Sequence, residues 1–229
     1  RFYEELPSYF EKAEDPQTFR LTKEYSLVYH HFLERDLTHY NAIRGQVISP
    51  ISLGLKVVDE NQKSMNYHDE VREVMFDFIQ KKVNQQYQEL KAKNPNAFVW
   101  VDDPGLELIF TAFSGYNEVQ AKSDLDRFLE GLEGPRGVHL CAKPDWDFLL
   151  KSKLDILSFD SLNCGVMIIN YPSLIQFLAR GGVISWGIVP TYTELLEQET
   201  IDSLKEKLEN FWEDLSKKGA DQGKLLRQS

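Results

Sequence analysis

Cysteine is scarce in this chain, with two among 229 residues. Two thiols cannot build a disulfide framework, so a reducing, cytoplasmic setting is expected and each thiol is judged singly. Long hydrophobic runs are missing too. The longest are pieces such as Gly165-Val166-Met167-Ile168-Ile169, far short of the roughly 20 residues a membrane-crossing helix needs. No basic stretch followed by an apolar one opens the chain, so no secretory leader is expected. Basic residues are outnumbered: 26 Lys and Arg against 36 Asp and Glu leave a net charge of −10. That balance argues against general binding to nucleic-acid phosphates. The chain opens on Arg1 and closes on Leu225-Leu226-Arg227-Gln228-Ser229 without a charged tail, and is read as a piece of a longer protein. A doubly wound nucleotide binder should carry a Gly-rich turn after its first strand. None is present, since Gly181-Gly182 precedes a strand instead of following one.

What the chain does have is alternation. Apolar bursts fall at 45–48, 97–101, 137–141, 154–159 and 183–189, and each reads as a short strand. Between them lie amphipathic stretches. Val71, Val74, Met75, Phe78, Ile79, Val83, Tyr87 and Leu90 share helical spacing over 66–93, with Asn66 as the expected N-cap and Pro95 beyond the end. Leu125, Phe128, Leu129 and Leu132 mark a second helix, 146–150 and 173–180 two more, and Thr200 is expected to cap a last one. The first forty residues read as mainly helical, with a stripe through Tyr25, Val28, Tyr29 and Phe32. Strands alternating with helices predict a parallel sheet covered by helices, in one domain over 1–229.

Polar or reactive residues recur where these strands end: Ser49, Asp102 with Asp103, His139 with Cys141, Asp160 and Thr191. In (β/α)8 enzymes that rim builds the active site. The expected fold is therefore an α/β TIM (β/α)8 barrel, incomplete at both chain ends. His139 and Cys141, two apart on a strand, share one face. Imidazole and thiolate are good zinc ligands and Asp160, at the next strand end, supplies an acceptable third. The bland alternative is an inert, buried cysteine beside an ordinary histidine. Cys164, four residues past Asp160, is a weaker ligand candidate in an expected loop. His30, His31, His39 and His68 read as surface or packing residues, and the four tryptophans as mostly core.

The segments Gly137-Val138-His139-Leu140-Cys141 and Asp155-Ile156-Leu157-Ser158-Phe159-Asp160 resemble the catalytic half of cobalamin-independent methionine synthase. They are also similar to related zinc methyltransferases acting on corrinoid-bound methyl groups, on the barrel shared with uroporphyrinogen decarboxylase. Arg44 to Leu53, Val101-Asp102-Asp103-Pro104 and Gly182 to Thr191 match further strands of that family in order. The resemblance implies a zinc-dependent methyltransferase in which Zn2+ holds a small-molecule thiol as thiolate, to accept methyl from methyl-folate or a methyl-corrinoid. His139, Cys141 and Asp160 are then metal ligands, with Asp160 standing where the family has glutamate. A further cysteine ligand is expected past Ser229. Asp102 becomes the catalytic and substrate-binding residue that holds the substrate amino group, with Asp103 and Ser49 beside it. A corrinoid protein is a possible partner; nucleic acid and membrane are not expected ones. A metal-free decarboxylase of the same barrel, or a barrel that only binds a corrinoid or a partner, are the competing readings.

Overall fold

The computed structural model describes residues 2–109, 111 and 118–229. Five strands form one all-parallel sheet: β1 (Ile43–Ile48), β2 (Ala97–Asp102), β3 (Arg136–Leu140), β4 (Ile156–Phe159) and β5 (Val183–Trp186). Their order in the sheet follows the chain, β1-β2-β3-β4-β5. This corrects the expected eight-stranded barrel: among the described residues the sheet is open, and β1 and β5 are not paired with each other. The five bursts were visible in sequence. Closure was not, because it depends on strands that those bursts do not supply.

Helices make the crossovers. Two short ones, α1 (Phe2–Ala13) and α2 (Leu27–Leu33), precede β1, and α3 (Pro50–Lys56) and α4 (Asp69–Lys91) join β1 to β2. Then α5 (Glu118–Glu130) and α6 (Trp146–Leu150) follow β2 and β3, and α7 (Ser161–Ile168) with α8 (Pro172–Ala179) follow β4. After β5 come α9 (Thr193–Leu196), α10 (Ile201–Lys217) and α11 (Gln222–Leu225). No single described helix is long and apolar enough to cross a membrane. The apolar pair α7–α8 is bent by 97°, and much of it packs into the core.

The strands are not uniformly apolar. Ile43, Gly45 and Val47 of β1 are buried, while Arg44 and Gln46 are exposed; Ala97, Val99 and Val101 of β2 are buried, with Phe98, Trp100 and Asp102 only partly so. Period-two burial of this kind means one covered face and one open face. On the covered face Phe76, Ile79, Val83 and Leu90 of α4 join Leu125, Phe128 and Leu129 of α5 in one continuous core with the buried strand residues.

Local sequence explains the helix ends, with some displacements. The capping box at Thr200 forms as expected, Ser203 N–H donating to Thr200 Oγ1 at 3.0 Å and Thr200 N–H to Ser203 Oγ at 2.8 Å. Asn66 does not cap α4. It is buried in a preceding turn, its Nδ2 donating to Ile51 O at 3.0 Å, and the helix starts three residues later. The buried stripe of α4 is rotated from the expected one and includes Arg72, which Asp124 receives at 3.0 Å on a carboxylate 1% exposed. Tyr25 and Val28 are exposed rather than part of a core stripe. Trp186 packs on Phe159 and Phe211, and its indole N–H donates to Ser229 Oγ.

Candidate functional site

Strand register lines up one row across the open face. Ile48 pairs with Asp102, Asp102 with His139, His139 with Ser158, and Ser158 with Ser185. The row behind it holds Gln46, Trp100 and Gly137. Side chains with chemistry therefore gather on β1 to β4 through alternation alone, with no loop needed to bring them together.

His139 is the centre of this row. Its Nε2 lies 3.2 Å from Cys141 Sγ and its Nδ1 lies 2.9 Å from Ser158 Oγ. Cys141, one residue past the end of β3, is exposed, and Ser158 is buried. The Trp100 indole stacks on the imidazole, ring centres 5.3 Å apart and planes 15° from parallel. Gly137 permits this: a Cβ there would stand 2.8 Å from Trp100 Cδ1, so the indole occupies the space a side chain would need. The Arg44 guanidinium covers the same indole, 4.0 Å from the ring centre. Burial lowers the His139 pKa below its usual value, Asp102 partly opposing this and Arg44 adding to it. The ring is accordingly neutral at neutral pH and has a lone pair to offer.

Asp102 receives Gln46 Nε2 on Oδ2, while its Oδ1 is buried and takes no hydrogen bond among the described residues. The Trp100 indole N–H is likewise buried without an acceptor. Unmet polar atoms of this kind are uncommon inside proteins, and here two flank the same histidine.

Asp103 and Ser49 are elsewhere. Both are 1% exposed. Ser52 Oγ donates to Asp103 Oδ1 at 2.6 Å and accepts from Gly105 N–H at 2.7 Å, while Ser49 Oγ accepts from Ser52 N–H at 2.9 Å and its hydroxyl also reaches the carboxyl. Burial pushes the Asp103 carboxyl up to about 6, against the pull of the two hydroxyls. The group braces the start of α3 against the end of β2 and does not line the open face.

The expected three-ligand metal centre is not assembled. Asp160 caps α7 instead: Oδ1 accepts from Asn163 N–H at 3.1 Å and Oδ2 from Asn163 Nδ2 at 2.6 Å. Both oxygens thus accept from Asn163 of its own helix, and a carboxylate one methylene shorter than glutamate has less reach away from it. Cys164 lies inside α7, not in a loop, and is buried. Among the described residues no group of three or more His, Cys, Asp or Glu is placed to hold a metal ion. His139 and Cys141 supply two adjacent donors, which is short of the three protein ligands of a catalytic zinc. The expectation of a zinc-binding centre is corrected accordingly: the described residues do not bring three ligands together.

Sequence reasoning missed Arg44, Trp100 and Ser158 as site residues. The signal was there in the alternation of Arg44 and Gln46 with Gly45 and Val47, and of Trp100 and Asp102 with Val99 and Val101. Comparison with family models, curated proteins and solved structures returned no match.

Proposed function

We propose that this chain transfers a group from a donor to its own sulfur, with Cys141 as the nucleophile and His139 as its base, and that the group is methyl. The observation that carries the reading is the Cys141–His139–Ser158 arrangement: thiol to imidazole at 3.2 Å, imidazole to hydroxyl at 2.9 Å. A nucleophile within reach of a base that a third group orients is the pattern of activated nucleophiles. With the ring proton on Nδ1 and donated to Ser158 Oγ, Nε2 is free to accept the thiol proton. The thiolate is the reactive form.

In the step proposed, the Cys141 S–H bond breaks and its proton passes to His139 Nε2. The sulfur lone pair forms a bond to the methyl carbon as the bond from that carbon to the donor breaks, and its electron pair leaves with the donor. Methyl as the group, with methyl-folate or a methyl-corrinoid as donor and a corrinoid protein as a possible partner, comes from the resemblance of the quoted segments. The buried, unpartnered Asp102 Oδ1 supports a place for a hydrogen-bond donor of the ligand, such as an ammonium. A reducing cytoplasm would keep Cys141, a free thiol, in its reactive state.

The test is isotope-labelled methyl transfer followed by peptide mass spectrometry. Incubation with methylcobalamin or methyl-folate should add one labelled methyl to the peptide containing Cys141. His139→Gln should slow this by about 100-fold, within the range of general-base contributions. No label on Cys141 from either donor, or transfer at the same rate without the imidazole, would overturn the reading.

A further inference from the structure

We propose that the open face seats a carboxylate of the ligand on Arg44, beside the Cys141–His139 pair; this rests on the reading of that pair as the reacting centre. Arg44 is exposed on β1 and makes no salt bridge among the described residues. Arg20, Arg72, Arg127 and Arg136, by contrast, each meet a carboxylate. Arg44 is nevertheless held in place. The Trp100 ring lies under its guanidinium at 4.0 Å, and Nη1 donates to Gln46 Oε1 at 2.9 Å.

That arrangement fixes the plane of the guanidinium while leaving other N–H groups to solvent. A planar fork with free donors matches a carboxylate in two-point contact. A second, independent feature lies beneath it: the Trp100 indole N–H is buried with no acceptor. The remaining Arg44 N–H groups and the indole N–H thus meet no acceptor among the described residues. Arg44 is also close enough to the reacting pair to be felt there, since its charge helps lower the proton affinity of His139. Gln46 separates it from Asp102, accepting from the cation on one side and donating to the carboxylate on the other. Against a chain carrying a net charge of −10, attraction of an anion requires such a local cation.

Competing alkylation of Cys141 tests this with two reagents that differ in charge. Iodoacetate carries a carboxylate and iodoacetamide a neutral amide. Both place the same bond on sulfur, with carbon–iodine cleavage, iodide leaving and the thiol proton passing to His139. The rate ratio, iodoacetate over iodoacetamide, is read at Cys141 by peptide mass spectrometry. Cys164, buried in α7, serves as an internal control for unfolding. The ratio should exceed that of free glutathione, fall about tenfold in Arg44→Gln, and be partly retained in Arg44→Lys, as expected for loss of one charge-assisted contact. A ratio unchanged in Arg44→Gln would overturn the carboxylate seat while leaving the reacting pair intact. A Cys141 inert to both reagents would overturn the reading of the pair and this proposal with it.

Discussion

Replacing Asp103 by asparagine should change how stability depends on pH, by an amount the structure sets. The carboxyl is 1% exposed, and burial moves it from an ordinary value of 3.8 up to about 6. The folded state therefore prefers the neutral acid. Its stabilisation is complete below the unfolded value near pH 4 and is lost as pH rises through about 6. A shift of about two units at roughly 1.4 kcal/mol each gives about 3 kcal/mol carried as a penalty by the wild-type fold at neutral pH. Asparagine does not titrate there. It keeps one oxygen for the Ser52 hydroxyl, and any hydrogen bond it forfeits is an offset of about 1 kcal/mol that does not vary with pH. Urea unfolding of both proteins at constant ionic strength, from about pH 4 to pH 7, isolates the effect. The stability of Asp103→Asn minus that of wild type should grow by about 2 kcal/mol over this range, the rest of the roughly 3 kcal/mol falling below pH 4, while titrations elsewhere cancel. A difference that is flat, or that shrinks as pH rises, would refute the argument. It would mean that the hydroxyls of Ser49 and Ser52, not burial, govern the charge.

Two further outcomes follow from the packing. Gly137→Ala places a Cβ 2.8 Å from Trp100 Cδ1 and 3.2 Å from Val99 O. It should destabilise the fold by about 1–3 kcal/mol and alter the near-ultraviolet circular dichroism as the indole leaves its stack on His139; an unchanged spectrum would contradict the described contact. Thr200→Ala removes the side-chain half of the cap on α10 and should lower stability by about 1 kcal/mol in urea titrations, with no effect on Cys141 alkylation.

Much of the fold could be read from residue order because strand and helix periods are local properties. The five bursts became the five strands within a few residues, and Thr200 capped its helix through bonds only three residues long. Asp160 shows where that legibility was misapplied. Asp160-Ser161-Leu162-Asn163 ahead of an apolar stretch is an N-cap pattern, and the structure uses the carboxylate for that purpose. The resemblance assigned it to a metal, whereas in the structure both its oxygens accept from Asn163 of the helix it caps. His139 and Cys141, by contrast, are two apart in sequence, and they meet at 3.2 Å although Cys141 stands one residue past the end of β3.

The sequence by itself determined the parallel strand–helix alternation, the pairing of imidazole with thiol, and the acidic, thiol-poor character of the chain. Register and sheet order were decided only in three dimensions. Which strands neighbour each other, and in what alignment, depends on contacts among residues far apart in the chain, and no local period encodes them. That is why the open, five-stranded sheet, the row from Asp102 to Ser158, and the stack of Arg44, Trp100 and His139 appear only once β1 to β5 lie side by side.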